Sequence, residues 1–302
     1  MKRAVSISIG SSKRNKKVEV TLLGEKVSIE RIGTDGDMEV AALKYKELDG
    51  TVDAFGVGGA DLGAIVEGKF YPFHSVQKLV RYIHKTPVVD GGGLKNTLEN
   101  KAPAFLEKHL KDYLDQHGRK MMMTVGVDRW GLSKSFVEAG YETVFCDLMF
   151  ALDVPIPIRT LKGLRILAGI MIPIVTRFFP FEWLYPTGEK QDVRTPKWEK
   201  YYQWATVVAG DCLYIKRNMP DDMKGKIVVT NTTTPEDVAL FKKCGVKYLV
   251  TTTPVMDGRS FGTNMMEAAL VAISGKNRPL TWPELTEMLD QLGFEPQLQE
   301  LN

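Results

Sequence analysis

Apolar and polar residues alternate at Val5, Ile7 and Ile9, again at Val18, Val20 and Leu22, and again at Val27 and Ile29. Period-two spacing puts every second side chain on one face, so these stretches predict strands, the last two joined at Gly24-Glu25. The spacing turns helical over Met38 to Leu48, then returns to a strand at Val52–Val57 that runs into Gly58-Gly59-Ala60-Asp61. Val76, Leu79, Val80 and Ile83 share one helical face within Ser75–His84. The short strand Thr86–Val89 opens into Asp90-Gly91-Gly92-Gly93-Leu94-Lys95-Asn96, and Asn96–His117 reads as one long helical stretch.

From Met121 the order is strand (Met121–Val125), glycine turn, helix (Leu132–Ala139), strand (Thr143–Cys146) and Asp147. Further strands follow at Thr206–Ala209, Ile227–Thr230 and Tyr248–Val250, with helices at Pro235–Lys243 and Gly262–Ile273. A helical tail carries Trp282, Leu285, Met288 and Leu289. Strands separated by crossover helices predict an α/β fold with right-handed parallel connections. The predicted division is an N-terminal α/β domain over residues 1–118, a Rossmann-type parallel-sheet nucleotide-binding domain over 119–275, and a tail over 276–302. Residues 151–204 form an insertion with the densest apolar run, Leu161 to Tyr185. A membrane span needs about 20 apolar residues, and Lys162, Arg165, Arg177, Glu182, Pro173 and Pro180 interrupt this one. It reads as a helical piece that packs on the domain or forms a homodimer contact. A wall over an apolar part of a substrate is a second reading, and peripheral membrane contact through its aromatic residues and Arg177 a third.

Composition narrows the classes. In 302 residues, 44% hydrophobic and 25% charged, a balance of 40 basic against 37 acidic side chains leaves a net charge of +3. That is ordinary for a globular chain and lacks the concentrated basic surface of a nucleic-acid reader. Cys146, Cys212 and Cys244 form no C-x-x-C pair or Cys/His cluster, and His74, His84, His109 and His117 show no ligand spacing, so neither a disulfide framework nor a metal site is predicted. Free thiols and a strand-like N-terminus predict a cytoplasmic protein.

The chemistry concentrates at Gly126-Val127-Asp128-Arg129-Trp130-Gly131. In a dinucleotide turn one glycine permits the bend, another lets backbone approach pyrophosphate, and a third lets helix and strand pack closely. Phosphates then sit on the helix N-terminus, where amides lack partners. Gly126 and Gly131 match the first and third positions, and Asp147 follows by about twenty residues, where an acidic group binds ribose hydroxyls. Asp147 therefore favours NAD over NADP, since a 2′-phosphate would face its carboxylate. Asp128 stands where the middle glycine belongs and adds a negative charge, which Arg129 could offset. Asn231 and Thr232, at a strand end in Thr230–Thr234, are candidates for the nicotinamide ribose and carboxamide, while Thr234 before Pro235 also fits a helix cap. Arg259 could clamp a substrate carboxylate bidentately, with Asn264 beside it in sequence.

Beyond Ile227 the chain resembles the C-terminal part of the shikimate and quinate dehydrogenases, through Val228–Pro235, Cys244-Gly245-Val246-Lys247 and Asp257–Ala268. The whole chain is similar to bacterial proteins named quinate 5-dehydrogenase, through its GSSKR, RIGTDGD, DGGGLKNTLE, LYPTGEKQ and DGRSFGTN segments. The resemblance implies an N-terminal domain that holds the acid and supplies a lysine–aspartate dyad. Lys95 has the implied setting, on a loop after a strand. The aspartate does not carry over by position, and Asp90 and Asp61, both after strands and beside glycines, are the substitutes. Asp90 is taken as the catalytic partner, and Asp61, Asn96, Arg259 and Asn264 as substrate contacts. The leading expectation is an NAD-dependent oxidoreductase acting on a small hydroxyl-bearing carboxylic acid. A nucleotide-sensing binding protein without turnover is the alternative, and a Rossmann methyltransferase a third reading.

Overall fold

The structure, a computed structural model, describes residues 1–178, 194–253, 255–256, 259–260 and 262–302, without the side chains of 178, 255–256 and 259–260. The chain divides into two compact units. The first comprises Met1–Thr97, Ile170–Gln191 and Gly262–Phe294, and the second Leu98–Gly169, Asp192–Phe261 and Glu295–Asn302. It is a mixed α/β protein whose two main sheets are built largely from parallel strands, the second in Rossmann-like order.

The first unit opens with β1 (Lys2–Ser8), β2 (Lys16–Leu22) and β3 (Glu25–Gly33). Helix α1 (Met38–Leu48) follows, capped by the Asp37 carboxylate, which accepts from the amides of Glu39 and Val40. After β4 (Ala54–Gly58), a hairpin of β5 (Gly63–Val66) and β6 (Lys69–Pro72) leads to α2 (His74–Gln77), β7 (Val88–Val89) and α3 (Gly92–Lys95). The main sheet runs β2-β3-β1-β4-β7. The chain leaves β1 toward the β2–β3 edge and β4 toward β7, so the carboxyl ends of the parallel neighbours β1 and β4 form a topological switch point. Val5, Ile7, Phe55 and Val57 cover one face, packed with Ala41 and Tyr45 of α1.

In the second unit, α4 (Ala102–His109) and α5 (Lys111–His117) precede β8 (Lys120–Met123), α6 (Trp130–Glu138), β9 (Glu142–Phe145) and α7 (Asp147–Leu152). Of the insertion's described helices, α8 (Leu161–Phe178) belongs to the second unit up to Gly169 and to the first from Ile170, and α9 (Glu199–Trp204) belongs to the second. Then come β10 (Val207–Ala209), α10 (Cys212–Asn218), β11 (Ile227–Thr230), α11 (Pro235–Lys243) and β12 (Tyr248–Thr251). Strands β13 (Val255–Met256) and β14 (Arg259–Ser260) form a small antiparallel pair. The chain returns to the first unit for α12 (Thr263–Ser274) and α13 (Trp282–Gln291), and ends with β15 (Gln297–Glu300) in the second. The second sheet runs β15-β12-β11-β10-β8-β9, parallel except for β15. Met122, Val144, Val208, Val228 and Leu249 build its core with Ile215 of α10 and Phe241 of α11.

Three expectations change. The closing helix α12 belongs to the first unit and not to the second. It is buried along Met265–Ala272, and Gly56 makes room for it, since a Cβ there would lie 2.8 Å from the Asn264 carbonyl oxygen. The stretch from Asn96 breaks into a short 3₁₀ turn at Glu99–Lys101, α4 and α5, because Leu110 leaves helical geometry at φ −129°; all of it after Leu98 belongs to the second unit. The tail divides, its helix in the first unit and its strand in the second. Among the described residues, no helix is long and apolar enough to cross a membrane, and no group of acidic, histidine and cysteine side chains could hold a metal ion. All three cysteines are free and buried.

Candidate functional site

In the second unit, β8 has β9 on one side and β10 on the other, so the switch point lies at the carboxyl ends of β8 and β10. The two strand exits are close: Gly210, at φ +142°, has no room for a Cβ because Thr124 occupies that space. Gly126 is also fixed by packing, with Phe145, Leu164 and Ser133 within 2.8–3.0 Å of where its Cβ would stand. The turn is braced by Asp147, whose carboxylate accepts from the amides of Gly126 and Val127, each at 2.9 Å. Burial pushes this carboxyl up to about 6 despite those two hydrogen bonds.

This geometry corrects the expected role of Asp147. It opens α7 instead of ending β9, it is 5% exposed, and its oxygens face the turn. The preference for NAD over NADP rested on a carboxylate presented to the ribose, so that preference loses its basis.

Arg129 is likewise turned inward. Its guanidinium is 2% exposed and pairs with Glu99, itself 1% exposed. Nη2 reaches Asp211 Oδ2 at 3.2 Å, and Nε lies 3.7 Å from Asp128 Oδ2. Burial acts to lower the guanidinium, and the carboxylates of Glu99, Asp128 and Asp211 more than offset it, so its pKa is raised. Breaking such a buried pair typically costs about 3–5 kcal/mol. Arg129 therefore pairs with protein carboxylates. Asn231 joins them, donating from Nδ2 to Asp211 Oδ2 at 3.3 Å, while its carbonyl accepts from Thr253 Oγ1 at 2.6 Å. Thr232 is half-buried just beyond β11. Thr234 and Asp237 form a reciprocal capping box on α11.

Two features of this edge suit a nucleotide. Helix α6 begins at Trp130, with Gly131 in its first turn, and has no side-chain cap, so its first amides are available to an anion. The hydroxyls of Thr124, Thr251 and Thr252 are buried without a hydrogen-bond partner among the described residues, which is rare enough in folded proteins to require an explanation.

In the first unit, the loop Gly91-Gly92-Gly93-Leu94-Lys95 follows β7, the edge strand beside β4. Lys95 Nζ lies 2.8 Å from Asp61 Oδ1, with the two side chains 11% and 20% exposed. Asp90, the expected partner, is turned away: its carboxylate accepts from the amides of Leu62 at 2.6 Å and Gly92 at 2.9 Å. Asp90 thus braces the loop, and Asp61 takes the place expected of it. Asn96 donates from Nδ2 to the Gly92 carbonyl at 2.8 Å and caps α3. Asn264 donates to the Val57 carbonyl at 2.6 Å. The Arg259 side chain lies outside the described residues.

Glu267, on α12, went unnoticed in the sequence. It accepts from the Gly93 amide at 3.0 Å and is pushed up to about 8, first by burial and then by the like charge of Asp90. The signal available was an acidic residue opening the apolar run Ala268–Ala272. Glu99 and Asp211 were missed too; the latter stands directly after a strand and a glycine, where ligand-edge residues are found.

Residues 93–301 match the family model described as "Domain of unknown function (DUF8754)". The chain belongs to the DUF8754 family. Residues 3–90 match a second model, "Domain of unknown function (DUF8753)", so one match ends just before the Gly91–Lys95 loop and the other begins within it. No curated protein matches the sequence. Among solved structures, the chain is similar to shikimate 5-dehydrogenase from Thermus thermophilus in complex with shikimate, at 14% identity and TM-score 0.35 over 97% of this chain and 100% of that one. It is similar to the malic enzyme of Entamoeba histolytica at 10% identity and TM-score 0.35, over 93% of this chain; it spans 60% of that enzyme's length. The arabinose-transporter periplasmic binding protein from Shewanella sp. ANA-3 is similar at 12% identity and TM-score 0.32, over 95% of each chain.

Proposed function

We propose that this DUF8754 protein is a nicotinamide-dependent oxidoreductase acting on a small hydroxyl-bearing carboxylic acid. The observation that carries the reading is the Lys95–Asp61 ion pair, held at 2.8 Å and largely withdrawn from water at the carboxyl edge of a parallel sheet. Such a pair can donate a hydrogen bond to a substrate oxygen and accept its proton. In this reading Lys95 Nζ orients the hydroxyl, and the proton leaves to the pair as the carbon–hydrogen electron pair departs. Asp61 holds Lys95 in place and spreads the charge.

The second unit would hold the dinucleotide. Its phosphates would meet the uncapped start of α6 at Trp130–Gly131, and its ribose and carboxamide the Thr124, Asn231, Thr232 and Thr252 edge. Bound there, the nicotinamide would supply the hydride acceptor. Asp147 and Arg129 shape the turn from beneath, so both NAD and NADP are candidates.

Calorimetry with NAD and with NADP tests the cofactor assignment. Wild type is expected to bind one of the two, and Gly131→Glu, which crowds the start of α6 with a like charge, to lose about 100-fold or more in affinity. Absence of heat from both cofactors in a folded wild type would remove the proposal, and leave Lys95–Asp61 a structural pair.

A further inference from the structure

We propose that Arg31, together with Ser8, forms a carboxylate-binding site at the carboxyl edge of the first sheet. It deepens the oxidoreductase reading, naming the cation that would receive the acid group of its substrate.

Arg31 lies on β3 in register with Ser6 of β1, near the switch point. Its side chain turns toward the strand ends, where Nη2 donates to Ser8 Oγ at 2.9 Å and Nη1 to the Ser11 carbonyl at 3.0 Å. Both acceptors are neutral. Among the described residues it makes no ion pair, although it is half-buried. Desolvation first, and the nearby Arg14 second, hold its pKa below the ordinary value, while Asp35 acts in the opposite sense from beyond salt-bridge range. A desolvated guanidinium with a second cation near it favours an anion, and each Nη carries a further N–H to offer.

The surroundings leave room only for backbone and small side chains. A Cβ at Gly58 would lie 2.7 Å from Ser8 Cβ and 3.1 Å from Asn264 Nδ2, and one at Gly59, at φ +76°, 3.4 Å from Ser8 Oγ. Helix α12 starts here at Gly262 without a side-chain cap. Gly91, at φ +96°, sits so close that a Cβ would come within 2.7 Å of the Asn264 amide. The loop from Gly91 leads in four residues to Lys95, and the chain from Gly59 in two to Asp61. An acid anchored at Arg31 would thus share one sheet edge with the pair that handles its hydroxyl.

The test is calorimetry on the full chain with shikimate, quinate and malate, each beside its methyl ester, which keeps the hydroxyls and removes the charge. Wild type is expected to bind at least one acid and to bind its ester about 10-fold or more weakly, as loss of a charged hydrogen-bonded pair requires. Arg31→Gln should lose the acid by a similar factor, and Arg31→Lys should retain part of it. Equal affinity for acid and ester, unchanged binding in Arg31→Gln, or no binding of any acid by wild type overturns the site. If Arg31→Gln does not fold, the acid–ester comparison on wild type and the Arg31→Lys titration decide. Acid binding that depends on Arg31 without nicotinamide reduction would sink the oxidoreductase reading and spare the site. Turnover with an unchanged KM in Arg31→Gln would do the reverse.

Discussion

At Glu267, burial and the neighbouring Asp90 carboxylate push in the same direction, and the amides of Gly93, Leu94 and Gly91 only partly oppose them. The carboxyl titrates from an ordinary value of 4.5 in the unfolded chain and near 8 in the folded one. Across that window the folded state holds a proton the unfolded state has released, so stability falls as pH rises from the first value through the second. Glu267→Gln cannot ionise. Its melting temperature relative to wild type should therefore climb, by about 5 °C or more between about pH 5 and about pH 9. A difference that stays flat across the series would contradict the raised value. Asp147 has the same sign over a lower window, but it is common to both proteins and cancels. Pairing at this scale was only half legible in the sequence. Asp61 and Asp90 both follow strands and adjoin glycines, and nothing local tells them apart. The choice is made by the loop, which spends Asp90 on the amides of Leu62 and Gly92 and leaves Asp61 facing Lys95. Arg31 passed unnoticed because a charged residue near a strand end is ordinary until its partners are known.

The elements that carry their own start and stop signals were the legible ones. Helix α1 begins after the Asp37 cap and α11 after the Thr234–Asp237 capping box, and both match their expected bounds. The β5–β6 hairpin, α10 and β15 were not foreseen; each is short, with too few residues to show a period. The glycine turn was found, but its chemistry was inverted by tertiary contacts. Arg129, expected to offset Asp128 beside the cofactor, is turned inward to Glu99, and Asp147, expected to meet ribose, meets the turn's own amides. Asp128 remains the side chain most at odds with a bound diphosphate, being an acidic group a third exposed within the turn. Asp128→Gly restores the missing glycine and removes one negative charge. Cofactor affinity in that variant should rise by about 5-fold, with a salt dependence weaker than in wild type. Unchanged or weaker binding would place the diphosphate elsewhere on the edge.

For the molecule as a whole, the α/β class and the parallel sheets follow from the alternation of strands and crossover helices, while the division into units does not. The chain leaves the first unit after Thr97, belongs to it again over Ile170–Gln191 and for α12 and α13, and departs once more for β15. A linear reading has no means to see that α12, buried along nearly its whole length, completes the earlier sheet and not the one preceding it in sequence. Each sheet carries a switch point, and each switch point carries part of the proposed chemistry: Lys95–Asp61 in one unit, the open start of α6 in the other. The most direct measurement of that account follows nicotinamide absorbance during turnover of shikimate, quinate and malate by wild type and Lys95→Met, with acid and cofactor binding measured in parallel. The account predicts reduction by wild type with at least one acid, and a loss of about 100-fold or more in kcat for Lys95→Met while both ligands still bind. Equal turnover by the two proteins, or none by a wild type that binds both ligands, would contradict it.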